Sequence, residues 1–560
     1  MKFKNTIYAA VAIWLAIGAF STNPVDAQGM FGTISGSVTD PTGAIIPGAT
    51  IIVTNVATNV KTTLKTNASG DYSVSSLNPG IYLVEASAKG FKNAVENNIV
   101  LDVDGNPRVS LKLEIGSASE TVTVTGESPV MQTQESSLSQ TVDEQQLGSL
   151  PLSGSAGSGH SPYSLVSLSA GVTQQTGEGG YALDNARLNG GRPRMDDYLI
   201  DGTSTEQPTF GGPDANPSVD AVQELRVQTN SFSAEYGKVS GGVIEITTKS
   251  GTNHFHGTAY EYYQTSKLDA NSYFGNLDHI PLQPSHFDEY GGTIGGPILK
   301  NKLFFFTDYQ GVHSASSSTL TGRVVPNDAF KSGNLSALCT TGTFSSGICT
   351  NATFGSQLYN PAAGYAPYLN NQVPVSAIAK ALEPLYPEGT AGASPTVVGG
   401  NLWNGVETYG NKVNRVNPRV DWFLGQKDHI FGVYHYESSH APANTVGWLD
   451  DANYQDNPVT TITMGWTHTF HSTLLNDFHY GYDHRHPMRT TSGYGEAGDS
   501  DFGITGIPAC NYPGSSGKCG PPSVGITGFS GFGAGGNMLI EPAGYSEFLD
   551  SVTLVRGAQP

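Results

Sequence analysis

Alternation of apolar and polar residues with a period of two runs through most of the chain after residue 31 and predicts β-strands. Residues 109–115 alternate Val, Leu, Leu and Ile with Ser, Lys and Glu. Residues 462–470 alternate large apolar, aromatic or His side chains with Thr and Gly. Successive side chains of a strand point to opposite faces, so each of these strands has one apolar face and one polar or small face. We therefore expect a mostly β chain.

The early strands form one small unit. Turn clusters such as Asp40–Gly43, Ala68–Asp71 and Asn78–Gly80 separate short alternating runs every 8–12 residues, which is the spacing of a β-sandwich. The sequence predicts a small β-sandwich over residues 28–116. In residues 117–146, which follow, a short β-prone segment at 120–126 precedes a stretch at 128–146 that is polar and weakly periodic, as expected of a linker.

From residue 252 onward the strands are longer and richer in aromatic residues. Residues 420–424 and 431–433 alternate on either side of a Gly425–Asp428 turn, which predicts a hairpin. Strands of about 10 residues with an apolar, aromatic face and a small, polar face are typical of transmembrane barrels. A soluble sandwich has the same alternation, because it too buries one face of each strand. Long Gly/Ser/Asn connections such as residues 332–364 favour the barrel, since compact domains seldom contain such loops.

The first 27 residues have the pattern of an export signal. Lys2 and Lys4 precede an apolar run from Ile7 to Phe20, and Val25–Ala27 is a small-residue cleavage site. The run is shorter than the stretch of about 20 residues that a membrane-spanning helix needs. We expect a signal peptide over residues 1–27 and export of the remaining chain.

Composition narrows the classes of function. The chain has 28 basic and 48 acidic residues, a formal net charge of −20, so it repels phosphate backbones and nucleic acid is not an expected partner. Charged residues make up 14% of the chain, against about 25% in ordinary soluble domains. Together with 69 glycines and 26 tyrosines, this balance suits membrane strands with aromatic girdles. It also suits an extracellular adhesin.

The cysteines fall into two close pairs, each bracketing a polar stretch rich in Gly, Ser or Thr. In an exported protein such spacing predicts local loop disulfides. Zinc would need closer ligands and neighbouring histidines, so we expect no metal site. The candidate disulfide residues are Cys339, Cys349, Cys510 and Cys519.

Long ordered strings carry a resemblance to a known family. Residues 188–202 read LNGGRPRMDDYLIDG, residues 218–257 read SVDAVQELRVQTNSFSAEYGKVSGGVIEITTKSGTNHFHG, and residues 291–311 read GGTIGGPILKNKLFFFTDYQG. These strings resemble the plug and first barrel strands of Oar-like TonB-dependent outer-membrane receptors. Residues 34–55, ISGSVTDPTGAIIPGATIIVTN, resemble the carboxypeptidase-regulatory-like domain, a carbohydrate-binding-like fold, that precedes the plug in such receptors.

The resemblance implies the arrangement of the later domains. It implies a mixed α/β plug over residues 147–251 and the first part of a transmembrane antiparallel β-barrel over residues 252–560, in a family whose barrels have about 22 strands. The residues after Ser250 suffice for roughly half of such a barrel, so we expect a C-terminally truncated chain. The implied location is the cell outer membrane, among its lipids.

The resemblance also implies a partner and a candidate contact for it. Receptors of this family draw energy from the inner-membrane TonB–ExbB–ExbD complex, which binds an extended segment called the TonB box by adding a strand to a sheet. The residues of this chain that resemble a TonB box are Glu120, Thr121, Val122, Thr123, Val124, Thr125 and Gly126. The alternative is that these residues form the last sandwich strand or an ordinary linker.

A charge cluster in the plug is a second candidate site. Its members could form ion pairs with the barrel wall that yield when substrate binds, because partly buried ion pairs cost desolvation energy. Solvation of the plug surface is an equally acceptable explanation. The cluster consists of Arg187, Arg192, Arg194, Asp196, Asp197 and Asp201.

We find no catalytic pattern: no HExxH, nucleophile elbow or P-loop occurs, and no cofactor is expected. The expected function is TonB-dependent uptake of a bulky nutrient, namely an oligosaccharide, peptide or chelate. The alternative is a cell-surface carbohydrate-binding or adhesion protein without transport. The identity of the extracellular ligand is left open by the sequence.

Overall fold

The computed structural model describes most of the chain. The predicted signal peptide lies outside the described residues, as do Glu120, Thr125, Gly126 and Arg194 of the two candidate sites. The described residues are 31–116, 121–124, 138–150, 159–174, 186–192, 195–207, 211–230, 236–237, 239–277, 279–340, 342–350, 356–442, 453–471, 474–491, 493–533 and 539–554.

The N-terminal unit is a sandwich of two sheets, ordered β4-β1-β7 and β3-β2-β5-β6-β8. Inward residues of both sheets, such as Ile34, Ile51 and Val84, form one buried core. The alternation predicted over residues 109–115 is wrong at its end. Strand β7 covers two residues only, and Ile115 is 75% exposed beyond it. The strands are β1 (Gly32–Thr39), β2 (Thr50–Asn55), β3 (Lys61–Lys65), β4 (Asp71–Leu77), β5 (Gly80–Ser87), β6 (Asn93–Leu101), β7 (Leu111–Lys112) and β8 (Thr121–Val124).

The middle unit, the plug, contains a five-stranded sheet ordered β13-β12-β15-β14-β9. Strands β12 and β15 are parallel, and the other pairs are antiparallel. No helix among the described residues has the length and apolar character of a membrane span. The elements are β9 (Leu138–Asp143), α1 (Glu144–Ser149), a 3-10 helix (Pro162–Leu168), β10 (Val172–Gln174), β11 (Ala186–Leu188), β12 (Asp197–Ile200), β13 (Thr203–Ser204), a 3-10 helix (Val219–Ala221), β14 (Val222–Asn230) and β15 (Val243–Thr248).

The remaining described chain forms one large antiparallel sheet with β16 and β30 at its two ends. The predicted hairpin is present as β24 and β25, with Gly425 in the left-handed region at φ 73°. The strands of the large sheet are β16 (His256–Thr265), β17 (Ser285–Leu299), β18 (Leu303–Pro326), β23 (Gly400–Val416), β24 (Arg419–Leu424), β25 (Asp428–Ala441), β26 (Asn453–His471), β27 (Leu474–Arg485), β28 (Met488–Thr491), β29 (Leu539–Ile540) and β30 (Ala543–Leu554).

The orientation of these strands distinguishes a membrane barrel from a soluble sandwich. On β26 the apolar residues Met464 and Trp466 are 51% and 43% exposed, whereas Thr463 and Thr467 are buried. The same holds on β24, where Trp422 is exposed. A soluble sheet would bury the aromatic face. Here that face is outward, as lipid contact requires, so the mostly β fold with a barrel-like sheet is confirmed.

The two ends of the barrel sheet differ. At one end the strands are joined by short turns such as residues 300–302 and 425–427, and at the other by long segments such as 327–399. In outer-membrane barrels short turns face the periplasm and long loops face outward. The long segments contain α2 (Tyr273–Leu277), α3 (Asp328–Lys331), β19 (Phe344–Ser345), β20 (Ile348–Cys349), β21 (Tyr359–Asn360), β22 (Ala366–Pro367), α4 (Ala377–Leu382) and 3-10 turns at Ser266–Leu268, Ser336–Leu338, Pro361–Ala363, Leu369–Asn371, Glu383–Leu385 and Asp499–Phe502.

The outward aromatic face generates a test. In lipid vesicles, variants that retain only Trp422 or only Trp466 should have their fluorescence quenched by lipids brominated near the headgroup, because both indoles lie on the outer face. A variant that retains only Trp403, which lies near the start of β23 and packs against Tyr386 and Phe532 of the loops, is the control and should not be quenched. Equal quenching of all three variants would contradict the assigned lipid face.

Candidate functional site

The plug meets the inner face of the barrel sheet through a buried ion pair. Asp201 follows β12 in the left-handed region, at φ 49°, and is fully buried. Its carboxylate accepts hydrogen bonds from the backbone N–H of Thr248 at 3.0 Å and from the Thr248 hydroxyl at 2.7 Å. These two bonds aim the remaining lone pairs at Arg419 of β24, whose guanidinium lies 2.9 Å away.

Arg419 is shared between the plug and its own strand. Its Nε and Nη2 donate to both oxygens of Asp421 at 2.8 and 2.9 Å, and its guanidinium lies 5.0 Å from the ring centroid of Phe431. Asp421 in turn lies 3.2 Å from Nε2 of His429. Every group is buried. We call this set (Asp201, Thr248, Arg419, Asp421 and His429) the Arg419 latch.

A second ion pair, between Asp214 of the plug and Arg485 of β27, joins the plug to the barrel sheet. The two side chains approach to 3.3 Å. Asp483, two residues before Arg485, accepts a hydrogen bond from Thr461 at 3.0 Å. Burial and the nearby Asp483 charge raise the pKa of Asp214. The pair is therefore sensitive to any opening that admits water.

Further hydrogen bonds accompany these pairs. The Thr203 and Thr463 hydroxyls are 2.6 Å apart. Ser204 donates its backbone N–H to Glu547 at 3.1 Å, and its carbonyl accepts from the Tyr545 hydroxyl at 2.7 Å. The plug is thus held by polar contacts to several barrel strands.

A further contact joins the plug to β17. His160 Nδ1 lies 2.9 Å from a carboxylate oxygen of Glu289, and the His160 backbone N–H donates to the same oxygen at 2.9 Å. Gln310 donates to the other Glu289 oxygen at 2.7 Å and accepts from Arg415 at 2.7 Å. The hydrogen bond to Glu289, and secondarily its charge, raise the pKa of His160 above 6.5.

Among the described members of the predicted charge cluster, Asp201 belongs to the Arg419 latch. The other residues have different surroundings: Asp197 accepts from Ser204 at 2.9 Å, Arg187 lies on β11 opposite Thr173, and Arg192 is exposed. Asp196 is buried within the plug, and this burial raises its pKa to about 7.

In the Asp201–Arg419 and Asp214–Arg485 pairs the plug supplies the acid and a barrel strand supplies the arginine, whereas in the His160–Glu289 contact the acid comes from the barrel. Arg419 and Arg485 were not among the candidates selected from the sequence. Each has an aspartate two residues away on the same strand face, Asp421 for Arg419 and Asp483 for Arg485, and this opposite-charge spacing is the signal that could have found them.

The described part of the candidate TonB box, Thr121–Val124, is β8. It pairs in parallel with β6 of the sandwich, Thr121 opposite Asn93 and Val124 opposite Glu96. It is the last strand of that sheet. This placement corresponds to the alternative of a final sandwich strand, and it also leaves one side of β8 at the edge of the sheet.

The described parts of the long loops form a cap at the end opposite the sandwich. Cys339 is bonded to Cys349 and Cys510 to Cys519. The two loops touch where the Tyr386 hydroxyl donates to the carbonyl of Ser530 at 2.9 Å and its ring lies 4.5 Å from that of Phe532. Among the described residues, no group of His, Cys, Asp or Glu could hold a metal ion.

The geometry of the Arg419 latch predicts that substitutions of Arg419 and of Asp201 will lower the stability of the protein by different amounts. Arg419→Met leaves two buried carboxylates without their cation and should lower the free energy of unfolding by about 3–5 kcal/mol. Asp201→Asn leaves Arg419 paired with Asp421 and should cost roughly 1–2 kcal/mol. Denaturant unfolding in detergent measures both, with Lys300→Met in an exposed turn as the control. Equal losses for the two variants would show that the guanidinium is not shared.

The His160 contact predicts a pH dependence. Because its pKa is raised in the folded state, the stabilisation is complete below pH 6.5 and is lost as the pH rises through the raised value. Thermal unfolding of the chain should show this decline, and His160→Gln should flatten it. His254→Gln, at an exposed histidine, should leave the slope unchanged. A slope unaffected by His160→Gln would contradict the assignment.

Comparison with known proteins agrees with this architecture. Residues 247–559 match the family described as outer membrane beta barrel domain, and residues 33–114 match the carboxypeptidase regulatory-like domain. The TonB-dependent transporter Oar of Myxococcus xanthus is 28% identical over 311 residues, which cover 54% of this chain and 29% of that protein. The chain thus spans less than a third of the length of that relative.

Two solved structures are similar at lower identity. The outer membrane transporter YddB from Escherichia coli matches with a TM-score of 0.41 and 11% identity, over 63% of this chain and 40% of that one. The siderophore receptor PirA from Acinetobacter baumannii matches with a TM-score of 0.35 and 14% identity, over 75% and 45%. On its family match over residues 247–559, the chain belongs to the outer membrane β-barrel family, it resembles TonB-dependent receptors of the Oar type, and its location is the outer membrane.

Proposed function

We propose that this chain is part of a TonB-dependent receptor that takes up a bulky nutrient, an oligosaccharide, peptide or chelate, across the outer membrane. The observation that carries the proposal is the polar character of the contacts between plug and barrel. The Asp201–Arg419 and Asp214–Arg485 pairs and the hydroxyl contact of Thr203 can exchange their partners for water. A plug attached by apolar packing would instead expose hydrophobic surface when it moved.

Buried ion pairs suit a plug that must be held and then released. Each pair contributes little net free energy to the closed state, because attraction is offset by desolvation. Separating the two partners of such a pair while the interface still excludes water nevertheless has a high cost in free energy. The contacts therefore resist random opening but yield once water enters together with an applied force.

Strand β8 supports the choice of TonB as the source of that force. It is short, it lies at the edge of its sheet, and it precedes the plug strand β9 in the chain. An extended segment at a sheet edge offers main-chain donors and acceptors to an added strand. The periplasmic domain of TonB, energised by ExbB and ExbD, is the partner that we propose for it.

The extracellular ligand would meet the cap formed by the two disulfide-bonded loops. No enzymatic role is proposed. A carbohydrate-binding or adhesion function of the sandwich is the less favoured candidate. The sandwich lies at the short-turn end, where Ala57 accepts a hydrogen bond from Asn253 and where sandwich residues face residues 425–428. This is the periplasmic side in barrels of this kind.

A binding measurement tests the TonB contact. In the full chain, Val122→Pro and Thr123→Pro remove consecutive main-chain donors, which point to opposite sides of β8. At least one should weaken binding of a purified periplasmic TonB domain by about tenfold or more, a loss of about 1.4 kcal/mol. Thr62→Pro, on β3 at the far edge of the same sheet, is the control. Wild-type binding by both β8 variants would exclude this segment as the TonB contact.

A further inference from the structure

The sandwich is attached to the plug by a buried clasp. In the turn after β6, Val103 donates its backbone N–H to Glu224 of β14 at 2.7 Å, and its carbonyl accepts from Arg226. Arg226 also pairs with Asp104 at 3.0 Å. Arg226 is 2% exposed. Both main-chain groups of one sandwich residue are therefore bound by the plug, in a place from which water is excluded.

The sandwich is attached to the barrel by a separate aromatic contact. Phe31, directly before β1, is buried among Phe431 and His429 of β25 and His479 of β27, with ring centroids 6.0 to 6.3 Å from its own. Asp421 and Asp477 hold the two imidazoles at 3.2 and 3.0 Å. We call Phe431, His429 and His479 the aromatic cage.

A third contact lies at a short turn of the barrel. Asn253 donates its backbone N–H to the carbonyl of Ala57 in the sandwich at 3.0 Å. Its side chain also bonds to Asn301, by a donated bond of 2.7 Å to the amide oxygen and an accepted bond of 2.9 Å from the backbone N–H. The residue that links plug and barrel in the chain therefore also binds the sandwich.

We propose that the sandwich is a clamp that bridges plug and barrel at the periplasmic end and holds the plug in place. It contacts β14 through Asp104 and the barrel strands through Phe31, and we call these two contacts the grips. The plug and the barrel cannot move relative to one another until one of the grips is broken. The cage also touches the Arg419 latch, because Arg419 rests on Phe431 and His429 belongs to both sets. Opening the clamp would uncover the latch.

The position of β8 gives the clamp a role in uptake, and this step alone rests on the proposed function. Because β8 is hydrogen-bonded to β6, and the clasp turn directly follows β6, tension on β8 reaches the clamp before it reaches β9 and the plug sheet. The clamp would then be the first contact to yield, and the plug would follow.

Double electron–electron resonance on the full chain in vesicles tests the clamp without TonB or ligand, so its outcome is separate from that of the TonB experiment. All four native cysteines are disulfide-bonded, so spin labels can be placed by Lys89→Cys in the sandwich and Gln426→Cys in a barrel turn. The native chain should give one narrow distance distribution. Phe31→Ala combined with Asp104→Asn should broaden it at least about twofold, because the aromatic contact and the ion pair of the clasp are both lost.

The two substitutions are chosen to leave the sandwich folded. Phe31 lies outside the sandwich core, and asparagine tolerates the left-handed backbone of Asp104, at φ 55°. Glu224→Gln is the matched control in the clasp. Burial raises the pKa of Glu224 to about 8, so a neutral amide that still accepts from Val103 should keep the distribution narrow. Asp71→Asn, which removes an exposed ion pair with Arg108 inside the sandwich, is the second control.

Two results would overturn the clamp. A broad distribution in the native chain would mean that the sandwich is not docked. A narrow distribution in the Phe31→Ala, Asp104→Asn variant, with its sandwich folded by circular dichroism, would mean that these grips do not hold it. Broadening in the double variant but in neither control supports the assignment.

Discussion

The structure depends on an inverted distribution of polarity in its large sheet. Lipid requires the apolar face outward, so Met464, Trp466 and their neighbours are on the outside. The inner face then carries many polar residues beside buried apolar ones such as Phe431, and those polar residues cannot be buried without hydrogen-bonding partners. The plug supplies those partners. The plug and the barrel therefore contact each other through ion pairs and hydroxyl hydrogen bonds, because many of the apolar residues of the sheet face the lipid.

This constraint explains why the acids and bases are divided between the two bodies. A buried arginine on a barrel strand needs a carboxylate in reach, and Asp421 beside Arg419 provides one locally. The second carboxylate, Asp201, comes from the plug and turns a strand-internal pair into a contact between bodies. Because Arg419 stays paired with Asp421 when Asp201 moves away, displacement of the plug does not leave the guanidinium buried without a counter-charge.

The sequence was sufficient to predict the strands, but it was not sufficient to predict what surrounds each face of a strand. Alternation at 462–470 predicted the strand, but it did not say which face is inward, because that depends on lipid and not on the chain. Asp201 was selected with five neighbours, and its partner Arg419 lies 218 residues away, beyond any local pattern. The docking of the sandwich was missed for the same reason: Val103 and Glu224 are joined across 121 residues. Local turn chemistry, as at Gly425, was recognised because its cause is local.

The sandwich follows from the same argument about burial. A separate accessory module would leave Arg226 of the plug, and the carboxylate of Glu224, at a surface facing water. Instead both are covered by a turn in which the N–H and the carbonyl of Val103 hydrogen-bond to them. Sealing a polar patch in this way raises the cost of partial opening, since each exposed group loses its partner before water replaces it. The aromatic cage and the Arg419 latch share His429, and Arg419 lies over the ring of Phe431, so opening the cage also removes packing from the latch.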